Sequence, residues 1–248
     1  MKKAFTLAEV LITLAIIGVV AALTIPSVIT DYKRQEIVVQ LKKTISTLSN
    51  ITNSAIADHG QVQSWDFGAN ATNLNVSSEE FAKKYMIPYL RVVKECQAGD
   101  TSAMCRPEIK FLNSTTDRLP TNNYYFFQLS DGTYVGVLSV NNSSHGGNKG
   151  TTIIVDINGD KKPNTLGIDV FNFGHMALER GQVRNKFLYT GHDKTIKENI
   201  TDSEDGCNKN SNGNRCITVI IQNGWKIPTK DEYVQMAGNE EYRALYPW

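Results

Sequence analysis

MKKAFTLAEVLITLAIIGVVAALTIP, residues 1–26, is the stretch on which the fold turns. Two lysines, Lys2 and Lys3, precede an apolar run over residues 5–25 that contains one carboxylate, Glu9. As an α-helix this run rises roughly 32 Å, enough to cross the hydrocarbon core of a bilayer. An unpaired charge inside such a helix costs on the order of 3 kcal/mol at its centre and less towards its end. Glu9 therefore calls for a partner, and it is the first functional residue the chain offers. Three plainer accounts compete. A secretory signal also starts with basic residues, and Val20-Ala21-Ala22 imitates its cleavage site, but signal cores are normally uncharged. A plain one-pass anchor would tolerate Glu9 near the cytoplasmic surface. Length and composition speak against the third account, a buried helix of a soluble core.

Phe5, Thr6, Leu7, Glu9, Gly18 and Pro26 stand at a recognisable spacing. In them the segment resembles the class III leader of type IV pilins and type II secretion pseudopilins. The resemblance implies a leader of residues 1–4, cut by a prepilin peptidase between Ala4 and Phe5, and N-methylation of the new Phe5 amine. Ala4 stands where the family usually has glycine, and alanine is small enough that cleavage is expected to survive. The resemblance covers about thirty residues by motif, and only architecture beyond them.

The chemistry of the motif can be argued from the residues themselves. Cleavage frees an α-amine on Phe5, one helical turn before Glu9. Residues four apart share a helix face, so the two charges can neutralise each other within one chain. Between chains the same pair would set an axial register, because a mispaired charge in low dielectric is costly. The resemblance implies the intermolecular version. Gly18 and Pro26 are helix-weakening points, one lacking a side chain and the other an N–H. Both are also common in ordinary membrane helices.

Lys2 and Lys3 place the N-terminus in the cytoplasm and everything after Pro26 outside the inner membrane. The cysteines agree. Cys96, Cys105, Cys207 and Cys216 form two equally spaced pairs without a CxxC. Four cysteines allow three connectivities; local pairing is the simplest, closing two loops in an oxidising compartment. Zinc is disfavoured by the ligand spacing and the lack of a nearby histidine. A net charge of +1 argues against a dedicated nucleic-acid surface, and none is expected as a partner. The exported part is long enough for one domain with its own core.

Beyond Pro26 the helix continues. Val38, Leu41, Ile45, Leu48, Thr52 and Ala55/Ile56 recur in steps of three and four, and His59-Gly60 supplies a stop. The expected organisation is a leader (1–4), a transmembrane or filament-core helix (5–25), its amphipathic continuation (26–59) and a globular α+β head (60–248). The fold class is α+β and pilin-like: the long helix lays its amphipathic half on an antiparallel sheet. In the head, Ser77 and Glu80 read as a capping box opening a helix whose apolar face is Phe81, Tyr85, Met86 and Leu90, with Pro88 breaking or bending it. Residues 124–129 and 133–140 flank Ser130-Asp131-Gly132 as a hairpin. Residues 151–157 read as a third strand and 216–222 as a fourth, buried one.

One stretch invites a ligand. Asp156, Asn158 and Asp160 alternate as in the opening of a calcium loop, with Asp169 further on. The EF-hand pattern then fails, since Lys161 occupies the glycine position and no glutamate ends the loop. An Asx-type turn leaving the third strand is the preferred account, because two lysines dilute the charge. Calcium is the sharper alternative, and no other cofactor is expected.

No GxSxG, HExxH or Walker A motif occurs, and His59, His145, His175 and His192 are scattered beside Gly or Asp. The stretch NNSSHGGNKG (141–150) reads as a surface loop. Trp225 and Trp248, in an aromatic and proline-rich tail, are expected to pack on the head; carbohydrate binding is the sharper reading. The expected function is a structural subunit of a type IV pilus or type II secretion pseudopilus. Its expected partners are prepilin peptidase, its own copies, other pilin or pseudopilin subunits, an inner-membrane assembly platform and, before assembly, membrane lipid. The alternative is a membrane-tethered extracellular binding or adhesive protein, less readily an enzyme, that borrows the leader for export.

Overall fold

A computed structural model of the protein describes residues 6–68, 74–97, 100–114, 118–142, 148–174, 178–179, 182–183 and 188–248. Ala4, Phe5, His145 and His175 lie outside the described residues. Helix α1, Leu7–His59, runs unbroken through Pro26 and ends on Gly60, whose N–H bonds back to the Ile56 carbonyl. Its two halves differ in what they touch. Leu11, Leu14, Ile17, Val20, Leu23 and Ile25 are all exposed, as are Val28 and Ile29. The hydroxyls in this half are satisfied by the helix itself: Thr13 bonds the Glu9 carbonyl at 3.0 Å, Thr24 that of Val20 at 2.9 Å, and Thr30 that of Pro26 at 2.9 Å. That is what a lipid environment demands, since no water is there to take the donors.

The second half buries Val38, Leu41, Thr44, Leu48, Ile51, Thr52 and Ala55. The stripe is the expected one, shifted slightly: Thr44 is buried and Ile45 half-buried. Thr44 tolerates this because its hydroxyl bonds the Gln40 carbonyl at 3.0 Å.

Helix α2 spans Leu74–Tyr85, so its start precedes the expected cap by three residues. Ser77 lies inside the helix and is buried, so the Ser77–Glu80 capping box does not form at its N-terminus. The neighbouring Ser78 has a tertiary role. Its hydroxyl lies 2.6 Å from the Leu74 carbonyl and 3.0 Å from that of Asn123, and accepts the Ser139 N–H at 3.0 Å. Pro88 follows in a short 3-10 turn, after the helix has ended.

The strands are β1 (Val92–Glu95), β2 (Tyr125–Leu129), β3 (Tyr134–Asn142), β4 (Asn148–Asp156), β5 (Val170–Gly174), β6 (Leu178–Glu179), β7 (Gln182–Val183) and β8 (Leu188–Tyr189). Six form an antiparallel sheet in the order β1-β2-β3-β4-β5-β8, and β6-β7 form a separate ribbon. The hairpin at Asp131-Gly132 joins β2 to β3 in the register Tyr125↔Val137, and β3 pairs β4 from Tyr134↔Asp156 to Asn142↔Asn148. Alternation along the strands then sorts side chains into two layers. Tyr125, Phe127, Val135, Val137, Ile153, Val155, Phe171 and Phe173 join α1 and α2 in the main core. Phe126, Tyr134, Ile154 and Val170 face the other way, where Cys96, Met104, Cys105, Ile109 and Leu166 cover them. A β-carbon on Gly136 would sit 2.4 Å from the Phe126 ring, which explains a glycine inside a central strand.

The rest of the head is helical: α3 (Ile196–Thr201), α4 (Cys216–Gln222) and α5 (Lys230–Ala237). The buried strand expected over residues 216–222 is helix α4. Ile217 and Ile220 point into the main core, while Cys216 and Val219 join Ile200, Tyr233, Ala237 and Tyr246 in a third cluster. A helix buried over two adjoining faces reads as a continuous apolar run, and periodicity alone does not separate it from a strand. The tail packs down as expected. Tyr246 bonds the Pro228 carbonyl at 2.6 Å and the Trp248 indole N–H bonds the Gly167 carbonyl at 3.0 Å. Arg34 and Lys42 of α1 lie over the rings of Tyr246 and Trp225, 5.7 Å and 5.5 Å from their centroids.

Candidate functional site

The N-terminal end of α1 is built around Glu9. Thr6 is the N-cap: its backbone N–H and its hydroxyl both donate to Glu9 Oε2 at 2.8 Å, and the Glu9 N–H returns to Thr6 Oγ1 at 3.3 Å. The carboxylate that sequence leaves without a partner is therefore held within its own first turn. The signal was present as Thr6-Leu7-Ala8-Glu9, a Thr-x-x-Glu capping box. The same pattern caps α3 through Thr195 and Glu198, and α5 through Thr229 and Glu232.

Among the described residues the helix around Glu9 is apolar and exposed. No residue in the most apolar window of α1 is buried, and α1 has the length and composition to cross a membrane. Gly18 has no atom of the described residues within 4 Å of where a β-carbon would stand, so none of them requires glycine there. Pro26 lies in the exposed half, ahead of the first buried residue, Val38.

Both cysteine pairs are disulfides: Cys96–Cys105 and Cys207–Cys216. The first closes the loop that covers the outer face of the sheet. The second ties a loop rich in Asn and Asp to the start of α4. In that loop Asp205 Oδ1 accepts from the Asn212 side chain at 2.8 Å, and Arg215 pairs with Asp202 at 3.0 Å. Tyr233 donates to the Cys207 carbonyl at 2.7 Å, fixing the loop to α5. These polar groups serve the fold.

The loop from β4 to β5 holds the four residues singled out for calcium. Asp156 and Asp169 are buried, at 4% and 2% exposure, whereas Asp160 is exposed. Asp156 Oδ1 accepts the backbone N–H of Asn158 at 3.1 Å and of Gly159 at 2.9 Å. Both oxygens of Asp169 are engaged. Oδ1 takes the Thr165 N–H at 2.7 Å; Oδ2 takes the Asn164 N–H at 2.9 Å and the Asn158 side-chain amide at 3.1 Å. This is the Asx-type turn in full. Three oxygens remain outside it: Asp156 Oδ2, Asn158 Oδ1 and Asn164 Oδ1 are buried with no hydrogen-bond partner. Each such orphan costs about 1–3 kcal/mol. Burial pushes the Asp156 carboxyl up to about 7; the N–H groups of Asn158 and Gly159 oppose this, and the carboxylates of Asp169 and Asp160 add to it. Burial likewise raises Asp169. Among the described residues no three His, Cys, Asp or Glu side chains are grouped so as to hold a metal.

His59 meets the Tyr85 ring edge-on at 5.2 Å, and His192 Nδ1 lies 3.1 Å from the Tyr189 carbonyl. Each makes a local contact of this kind.

Comparison with known proteins bears on both the N-terminal segment and the rest of the chain. Residues 1–25 match the model of the prokaryotic N-terminal methylation motif, the prepilin signal of type IV pilins and pseudopilins. Residues 27–233 match the model of a family of unknown function (DUF6613). No curated protein and no solved structure matches the chain.

Proposed function

Since the chain belongs to that family over residues 27–233 and begins with a prepilin signal, we propose that it is a structural subunit of a type IV pilus or type II secretion pseudopilus. The observation that carries this reading is the division of one helix between two environments. Leu7 to Ile29 expose an apolar surface on all sides, and Val38 to Ala55 bury one stripe on the head. A surface apolar all round suits lipid and suits equally a bundle of like helices. The same segment thus serves storage and assembly.

In this account Lys2 and Lys3 hold the N-terminus on the cytoplasmic side and the head lies across the inner membrane. Prepilin peptidase cuts between Ala4 and Phe5, and the new amine is methylated. While the subunit waits in lipid, Thr6 satisfies Glu9 locally. On entry into the filament, through an inner-membrane assembly platform, the Phe5 amine of a neighbouring subunit takes the carboxylate. An ion pair in low dielectric then penalises any other register. The open space at Gly18 lets a second helix approach closely at that point.

The test is Glu9→Ala. Membrane insertion should persist, because the substitution only raises the segment's apolarity, while recovery of the subunit in sheared filaments should fall more than tenfold. Normal recovery in filaments would remove Glu9 from the mechanism. Unaltered surface function without any filament would favour a tethered binding protein instead.

A further inference from the structure

The rise of α1 sets how far the head stands from the lipid. Leu7 to Ile29, its apolar length, spans about 34 Å, enough for the hydrocarbon core. The headgroup layer beyond that core is about 5–8 Å thick, so it runs alongside residues 30–34. The head already begins at this level. Arg34 lies over the Tyr246 ring at 5.7 Å. Burial raises the Tyr246 phenol, Arg34 opposes this, and Glu232 and Asp31 add to it, so all three charges stand close to that ring. The Thr229 cap holds the Glu232 carboxyl below its usual range; burial opposes this, and the charges of Lys226 and Arg34 assist it. Tyr246 and the start of α5 are therefore level with residues 31–34. A bilayer is a plane across α1, so height along the helix decides which residues meet it.

At that height the molecule presents an aromatic ring and uncommitted cations. Tyr32 is 67% exposed, and tyrosine at headgroup depth acts as an interfacial anchor. Lys33, Lys226 and Lys230 are exposed, and none of them enters an ion pair among the described residues. The neighbouring carboxylates are already engaged. Asp31 pairs with Arg34 at 3.3 Å and Asp231 with Arg243 at 2.6 Å, while Glu232 accepts the Thr229 N–H at 2.7 Å. Glu36 stands one turn further from the lipid than Lys33. Lysine stems can lie along apolar surface while the ammonium group reaches the phosphates. Each lysine held near an anionic leaflet strengthens binding about fivefold.

We propose that the base of the head docks on the bilayer through Lys33, Lys226 and Lys230, which bind the phosphates of anionic phospholipid, with Tyr32 at the headgroup boundary. The docking rests on the reading of α1 as a membrane span, which supplies the height. The attraction falls off within about 8 Å at physiological salt, so it acts only on a head held this close. Lipid contact then fixes the tilt of the subunit while it waits in the membrane.

The experiment uses the full chain, one copy per nanodisc, in phosphatidylglycerol and in phosphatidylcholine, with hydrogen exchange read by mass spectrometry. Exchange over residues 225–234 should be at least fivefold slower in the anionic lipid. The difference should vanish in about 1 M salt, where screening acts within about 3 Å. Residues 62–68, past the far end of α1, should exchange equally in both lipids. Lys226→Gln combined with Lys230→Gln keeps both stems exposed, so the thermal midpoint should hold while the lipid difference falls below twofold. Equal exchange over residues 225–234 in the two lipids, with the chain inserted, would overturn the docking and leave the membrane span standing. A full difference in the double variant, or an equal one over residues 62–68, would overturn the assignment to these lysines. Protection that appears only with two copies per disc would assign the surface to a second copy of the chain. A chain that enters neither disc would remove the span itself and the docking with it.

Discussion

Glu9 and Ser78 each show how one side chain can carry more than its local sequence suggests. Glu9 is bound to Thr6 through an amide and a hydroxyl, each at 2.8 Å. Thr6→Val keeps the shape and the N–H but deletes the hydroxyl, so the cap loses about 1 kcal/mol and the Glu9 amide should exchange about fivefold faster. Hydrogen exchange on the detergent-solubilised chain reads this directly; unchanged exchange would mean that the hydroxyl contributes nothing. Ser78 joins α2 to Asn123, two residues before β2, and to β3 with one hydroxyl. Ser78→Ala strands the buried Ser139 N–H and should cost about 1–3 kcal/mol, seen as a lower thermal midpoint of the head. Neither role follows from spacing alone. The Ser77–Glu80 pattern matches a capping box as well as Thr6–Glu9 does, yet only the latter starts a helix. The deciding fact is tertiary: the start of α2 at Leu74 leaves Ser77 and Ser78 one turn inside the helix.

At the scale of elements, α1 allows a comparison within a single helix. Leu41→Ala removes a fully buried side chain and should destabilise the head by about 2–5 kcal/mol. Leu11→Ala, in the exposed half, should leave the thermal midpoint of the head unchanged. A common loss from both would mean that the two halves are not energetically separate. The long helix was legible because its burial changes once along its length, from none to one stripe, and a 3.6-residue period reports that change. The β2–β3 hairpin was legible from Asp131-Gly132 and its flanking apolar runs. Helix α4 was not, because Ile217 and Ile220 serve one core while Cys216 and Val219 serve another, erasing the period. The β4–β5 loop was half legible. The alternation of Asp156, Asn158 and Asp160 marked the place, but only the hydrogen bonds show which oxygens are already occupied.

At the scale of the whole molecule, the head is a sheet covered on both faces and closed by two short disulfide loops. Each disulfide should contribute about 2–4 kcal/mol, so reduction ought to lower the melting temperature by several degrees per bond. Cys207–Cys216 should matter more to the third cluster, where both sulfurs are fully buried, and Cys96–Cys105 to the outer core. Paired Cys→Ser variants melted separately would show equal losses if that assignment is wrong. What remains is the relation of this head to its helix, which is the central claim: a membrane-stored subunit becomes part of a filament after processing. Mass spectrometry of the subunit taken from sheared surface filaments tests it most directly. The account predicts a chain beginning at N-methylated Phe5, with both disulfides intact. A chain recovered only from membranes, or one in filaments that still begins at Met1 or Lys2, would contradict it.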